Sequence, residues 1–216
     1  ATTEIYTLSL HDALPISETR VAEAVDTALD FLMEASMIVT KGGRYAATSL
    51  GKRVSALYID PLTASYLYTI ILAVPEDGEG GHHTLGFLYA ITSCDEFYPR
   101  QSMRQSDVGR VARLFEEHDS ELIGFMPGSE SPRGILALHE WIDERSERTI
   151  ADTLKIESGD MHRMVETASW LSYALREIAL HAKRDDLLDE IAVLRLRIRS
   201  GIRAELAELA GVRGIG

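Results

Sequence analysis

"MHRMVETASWLSYALREIALHAKR", residues 161–184, reads as one long helix. The preceding "ESGD" supplies a start: Ser158 or Asp160 can cap free N–H groups, and Glu157 and Asp160 suit the positive end of the helix dipole. Stepping about 100° per residue places Met161, Met164, Val165, Ala168, Leu171, Leu175, Ile178 and Ala179 on a stripe that must face a core. Arg163, Glu166, Trp170, Glu177 and His181 fall on the other side. Trp170 is the anomaly. The largest apolar side chain lies roughly 140° from the centre of the stripe, two turns beyond Arg163 on the same face. Two readings stand: Trp170 packs against another helix of a bundle, or it offers its ring to a ligand.

The flanks are also helical. After Asp60-Pro61 the pattern gives helices over 62–74, 82–94, 104–118, 133–146, 149–155, 160–183, 186–199 and 202–210, broken by Pro- and Gly-bearing segments such as "VPEDGEGG" and "EFYPRQ". Before it, Val21, Val25, Ala28, Leu29 and Leu32 make an amphipathic stripe. "MIVT" and "RYAAT" then flank "KGG" as a short hairpin, and Thr48 or Ser49 can cap the following helix. A helix leading into a two-stranded wing is the tail of a winged-helix domain. The fold class expected is mainly α: a winged-helix remnant with a small β-hairpin, then a multi-helix bundle. Residues 1–17 fit neither part. Their "IYTLSLHDALPI" resembles translated sequencing adapter, so they are expected to be a non-native, dispensable leader, with a short native strand and turn as the alternative.

Composition narrows the chemistry. The 216 residues can bury one good core or two small ones, and no apolar run approaches the ~20 residues of a membrane span. No signal peptide is visible, and the single Cys94 fits a reducing cytoplasm without disulfides. A net charge of −12 argues against a general nucleic-acid binder. Positive charge is nevertheless clustered: Arg195, Arg199 and Arg203 recur every four residues, with Arg176, Lys183, Arg184 and Arg197 near in sequence.

Catalytic and metal motifs are weak. His82, His83, Cys94, His118 and His139 never combine at ligand spacings. "LYAITSCDEF" imitates a strand ending in magnesium-binding acids, but no phosphate-cradling loop accompanies it, and "LGKR" at 50–53 lacks that loop's upstream glycine and hydroxyl residue. Nucleic-acid contact is the better reading: a single strand of DNA, for instance, is held by base stacking on aromatics plus cationic groups along the backbone. Arg163 and Trp170, about 10 Å apart on one helix face, offer both. Trp141 flanks the Ile135/Leu138/Ile142 stripe and reads as a core-edge residue.

Three stretches carry a family resemblance. "YAATSLGKRVSALYIDPLTA" resembles the wing and linker of Ski-two-like superfamily-two helicases. "ALHEWIDERSERTIADTLKIESGDMHRMVETASWLSYALREIA" is similar to the ratchet-helix region of the archaeal HelQ-like (Hjm) DNA helicases, and "LRLRIRSGIRAELAELAGVRGIG" to its exit into a helix-hairpin-helix domain. Order and spacing agree for all three, over residues 18–216. The resemblance implies a partial winged helix at 18–60, a helical ratchet domain at 61–201 and the start of a helix-hairpin-helix domain at 202–216. It implies that Arg163 and Trp170 contact bases of a single strand. Glu166, on the same helix face, is counted with them, and the sequence pattern of Arg195, Arg199 and Arg203 adds a basic face expected to follow phosphates. ATP and magnesium would belong to two motor domains of the same polypeptide that this sequence lacks, so the chain alone is expected not to hydrolyse ATP. The function implied is the DNA-gripping part of an ATP-dependent 3′–5′ DNA helicase working on single-stranded or forked DNA in fork repair and recombination, as a cytoplasmic monomer. A related RNA helicase and a protein-interaction module without nucleic-acid binding are the alternatives.

Overall fold

The structure, a computed structural model, describes residues 18–76, 82–124 and 131–210. The leader expected at 1–17 and the last residues of the expected helix-hairpin-helix start, 211–216, lie outside them. The chain divides into two compact units between Lys52 and Arg53.

The first unit holds α1 (Glu18–Glu34), β1 (Ile38–Lys41), β2 (Arg44–Ala47) and the opening turn of α2 (Ser49–Leu57). The strands pair antiparallel, Lys41 opposite Arg44, so the connection is only Gly42-Gly43. Both glycines have positive φ (57° and 73°), as a two-residue hairpin turn of matching twist demands. Of the two caps the sequence offers α2, Thr48 is used: its Oγ1 accepts from Gly51 N at 3.1 Å. The same hydroxyl donates to Ser36 O at 2.8 Å. Gly51 is needed for a second reason, since a Cβ there would stand 2.1 Å from Met37 O.

The second unit is a helical bundle. Its helices are α3 (Pro61–Ala73), α4 (Thr84–Ser93), α5 (Val108–Glu117), α6 (Pro132–Ile142), α7 (Glu147–Leu154), α8 (Ser158–His181), α9 (Leu188–Ser200) and α10 (Ala204–Ala210). No single described helix is long and apolar enough to cross a membrane. The apolar run of the pseudo-motif "LYAITSCDEF" is the end of α4, not a strand, and its acids, in the turn just after the helix, have structural partners. Asp95 pairs with Arg100 at 2.8 Å, while Glu96 accepts from Asp60 N and Thr63 Oγ1, both at 2.6 Å, at the start of α3. Cys94 is buried, donates to Ala90 O, and has its thiol pKa pushed up by that burial.

The centre of the bundle is α8, which packs against α3, α4, α6, α7 and α9. Its cap differs from the sequence reading. The helix begins at Ser158 after Glu157, without a side-chain cap, and the Ser158 hydroxyl bonds Glu147 instead. The stripe also widens. Beyond Leu171 burial runs most of the way round, taking in Ser172, Ala174 and Glu177. Glu177 is therefore not on an open face. It is 8% exposed and pairs with Arg53 at 3.2 Å.

Two members of the basic cluster are structural as well. The Arg184 guanidinium, 5% exposed, donates to Ile71 O at 2.9 Å and Val74 O at 2.7 Å, covering the carbonyl end of α3. Asp186 holds it from outside at 2.7 Å. Arg197 reaches Ile202 O, Ile142 O and Thr84 Oγ1 at 3.4–3.5 Å, and burial pushes its pKa down.

Candidate nucleic-acid interface

Part of the first half of α8 is open, beside α9, which follows α8 after a short link. A groove of about 570 Å³ lies there, with walls from α6, the start of α7, α8 and α9. It gathers Glu166, Trp170, Arg195 and Arg199, four of the six expected contact residues.

Trp170 is half-buried, and its Nε1–H donates to Leu57 O at 3.0 Å. The packing reading of this residue is therefore met in part, and the ring is left where a ligand could reach it. The indole is anchored to the end of α2 by its polar edge, and its ring lines an open groove. One turn on, Tyr173 carries the Arg195 guanidinium 4.9 Å from its ring centroid. Arg195 Nε also donates to Ser169 O at 3.3 Å, which fixes the cation against α8. Arg199 follows one turn later and is exposed.

Carboxylates stand among these groups. Glu166 is 67% exposed and meets His162 at 3.3 Å, and Glu147 lines the groove from α7. Carboxylates repel phosphate and accept hydrogen bonds from base amino groups. The groove thus suits bases along its aromatic wall and phosphates near the arginines.

Arg163 and Arg203 are not part of it. Arg163 is 62% exposed on the outer ridge of α8, with Asp160 at 3.8 Å. The four-residue arginine repeat stops at Arg199, because Gly201 adopts φ +61° and ends α9. Arg203 falls beyond that break, paired with Asp143 at 3.1 Å and Glu144 at 3.6 Å.

Sequence reasoning missed two aromatics. Tyr173 was within reach, standing three residues after Trp170 on the same side of the helix. Trp141, taken for a core-edge residue, is half-buried and lines the groove from α6, with Nε1–H donating to Ile198 O at 2.7 Å. That contact crosses 57 positions of sequence, and no local pattern encodes it. Among the described residues no group of His, Cys, Asp and Glu could hold a metal.

The family described as archaeal helicase, domain 4, matches residues 85–201, which include α5 to α9, α4 but for its first residue, and every residue of this groove. The chain is also similar to three curated proteins, each called ATP-dependent DNA helicase Hel308. The one from Methanocella arvoryzae is 31% identical over 210 residues, covering 91% of this chain and 28% of that protein. The one from Thermococcus kodakarensis is 32% identical over 199 residues, 86% of this chain and 17% of that protein. The one from Thermoplasma volcanium is 33% identical over 200 residues, 92% of this chain and 27% of that protein. The chain thus spans between 17% and 28% of the length of these relatives.

Proposed function

Because the chain belongs to the archaeal helicase domain 4 family, we propose that it is the DNA-gripping portion of an ATP-dependent 3′–5′ DNA helicase acting in fork repair and recombination. The helix α8 is its contact with single-stranded DNA. The observation that carries this reading is the groove itself, where Trp170 and Tyr173 present aromatic surface beside Arg195 and Arg199 on an otherwise acidic chain. Stacking supplies affinity that salt does not screen, whereas attraction between exposed charges is screened within about 3 Å at 1 M salt.

ATP and magnesium would be held by motor domains of the same polypeptide. The lysine that most imitates a phosphate loop, Lys52, does not serve as one: Gly51-Lys52 lies inside α2, with Gly51 against Met37 O and not in a phosphate-cradling loop. Its part in the cycle is mechanical. Bases stacked on α8 would be held while the motors step, so that strand movement relative to the bundle is rectified.

Fluorescence anisotropy with labelled single-stranded DNA, single-stranded RNA and duplex DNA tests the reading. Tightest binding to single-stranded DNA is expected. Equal or tighter binding to RNA would assign the grip to an RNA helicase, and no binding to any of the three would leave a protein-interaction module.

A further inference from the structure

We propose that Trp141 is a second base-stacking platform in this groove, about one turn of α9 beyond the Trp170–Tyr173–Arg195 corner, taking an unstacked base of the same strand. The inference rests on the proposed grip on single-stranded DNA.

Both ends of the groove are built alike. At one end the Trp170 N–H is consumed by Leu57 O, and at the other the Trp141 N–H is consumed by Ile198 O. Each indole thus has its only donor satisfied by backbone, and what it presents to the groove is aromatic surface. Such surface binds any base, as a translocating strand requires.

Trp141 is also held rigidly. Gly201 approaches so closely that a Cβ there would stand 2.7 Å from ring atoms Cε2 and Cζ2. Backbone on one side and the hydrogen bond to Ile198 O together fix the ring before any ligand arrives, which lowers the ordering cost of binding. Trp141 is only partly buried, and its uncovered part lines the groove.

The charges fit the same path. Arg195 and Arg199 lie about 6 Å apart along α9 and line the same groove as both indoles. Glu147 and Glu166 line the groove too and turn phosphates toward the arginine side. A strand along α9 would place phosphates near Arg195 and Arg199 and bases toward Trp170 and Trp141.

The chain contains two tryptophans, so Trp170→Phe leaves Trp141 as the only indole while keeping an aromatic ring at 170. This variant is titrated with a single-stranded deoxythymidine oligonucleotide, reading indole emission and, with a labelled oligonucleotide, anisotropy. The expected result is a saturable loss of Trp141 emission that follows the anisotropy isotherm. In parallel, Trp141→Leu should weaken binding about fivefold to a hundredfold, the worth of one stacked base, at a temperature where circular dichroism shows it folded. Binding with unchanged Trp141 emission would make Trp141 a clamp on the end of α9 and overturn this inference alone. No binding by the unmodified chain would overturn the proposed grip, and this inference with it. Should Trp141→Leu fail to fold, the emission titration decides.

Discussion

The indole N–H of Trp170 donates to the carbonyl oxygen of Leu57 across 3.0 Å, joining the middle of α8 to the last residue of α2. Trp170 therefore has two separable duties. Its polar edge satisfies a backbone carbonyl, and its ring lines the groove. Trp170→Phe keeps a ring and loses the hydrogen bond, which should cost about 1 kcal/mol of stability with a smaller effect on affinity. Trp170→Ala loses both, and should cost about 1–3 kcal/mol of binding to single-stranded DNA beside a comparable loss of stability. The sequence alone suggests a truncation that barely disturbs the fold, and the anchored indole changes that expectation. Denaturant unfolding and anisotropy on both variants check it. Equal binding losses for Phe and Ala would show that the ring is not what the strand contacts.

Leu171 follows Trp170 directly but is wholly buried. Leu171→Ala should cost about 2–5 kcal/mol of stability through the cavity it leaves, and affect binding only through unfolding. An affinity loss measured well below the melting temperature would contradict the division of α8 into a core face and a ligand face.

Arg163 and Arg199 differ in setting, and salt should reveal it. Arg199 is exposed on the groove wall, and Arg163 stands on the outer ridge beside Asp160. Arg199→Ala should weaken single-stranded binding and lower the slope of log affinity against log salt by about 0.7, one phosphate contact's share on a single strand. Arg163→Ala should do the same only if the strand also crosses the ridge. An Arg199→Ala slope equal to that of the unmodified chain would remove α9 from the phosphate path.

What could be read from the sequence, and what could not, follows the range of each signal. Helical period and Pro/Gly breaks are local, so the helices from α3 to α10 and the Gly-Gly hairpin stand within a few residues of their expected places. Trp170 and Arg195, which both line the groove, were legible as candidates because a helix face and a four-residue repeat are local too. The fate of Arg184 was not, since its partners Ile71 and Val74 lie more than a hundred positions away. Arg203 misled for a related reason. The repeat continues in sequence, but the left-handed Gly201 turns the chain before it. Glu177 reads as exposed on any two-faced helix and is buried because α8 has neighbours on more than one side.

His139 gives a pH dependence. Its ring lies 4.7 Å from that of His118, and burial first, then the neighbouring His118, push its pKa down to about 4 from 6.5; Glu121 and Asp143 oppose the shift, and Arg197 adds to it. A folded-state pKa below the unfolded value means that the unfolded chain takes up the proton first as pH falls. The stability linked to His139 is therefore whole above pH 6.5 and lost as pH falls toward 4. The whole displacement corresponds to about 3–4 kcal/mol. Urea unfolding at pH 7 and pH 4.5 should show a smaller acid loss in His139→Gln than in the unmodified chain. An identical loss in both would assign the acid sensitivity to other groups.

Gly201 is the position where backbone, α9 and the groove meet. Its φ of +61° is left-handed, its N–H closes the helix on Arg197 O at 2.8 Å, and a Cβ would press on the Trp141 ring at 2.7 Å. Gly201→Ala thus carries two penalties: about 1–2 kcal/mol for the left-handed conformation, and about 1–3 kcal/mol for overpacking against a ring that cannot swing away. The ring is tethered because its N–H is bonded to Ile198 O, three residues before the glycine. A loss of about 2–4 kcal/mol is expected, with a shift in tryptophan emission as the ring is displaced. Gly159→Ala is the control. Gly159 is exposed in the first turn of α8, has no positive φ, and a Cβ there would meet nothing within 4 Å, so that change should be neutral or slightly stabilising. Both variants are unfolded in denaturant and titrated with single-stranded DNA. Gly201→Ala should also bind more weakly than Gly159→Ala under conditions where both are folded, because it moves a groove wall. Equal stability for the two would mean that the backbone does not press on Trp141, and the rigid setting of that ring would be wrong.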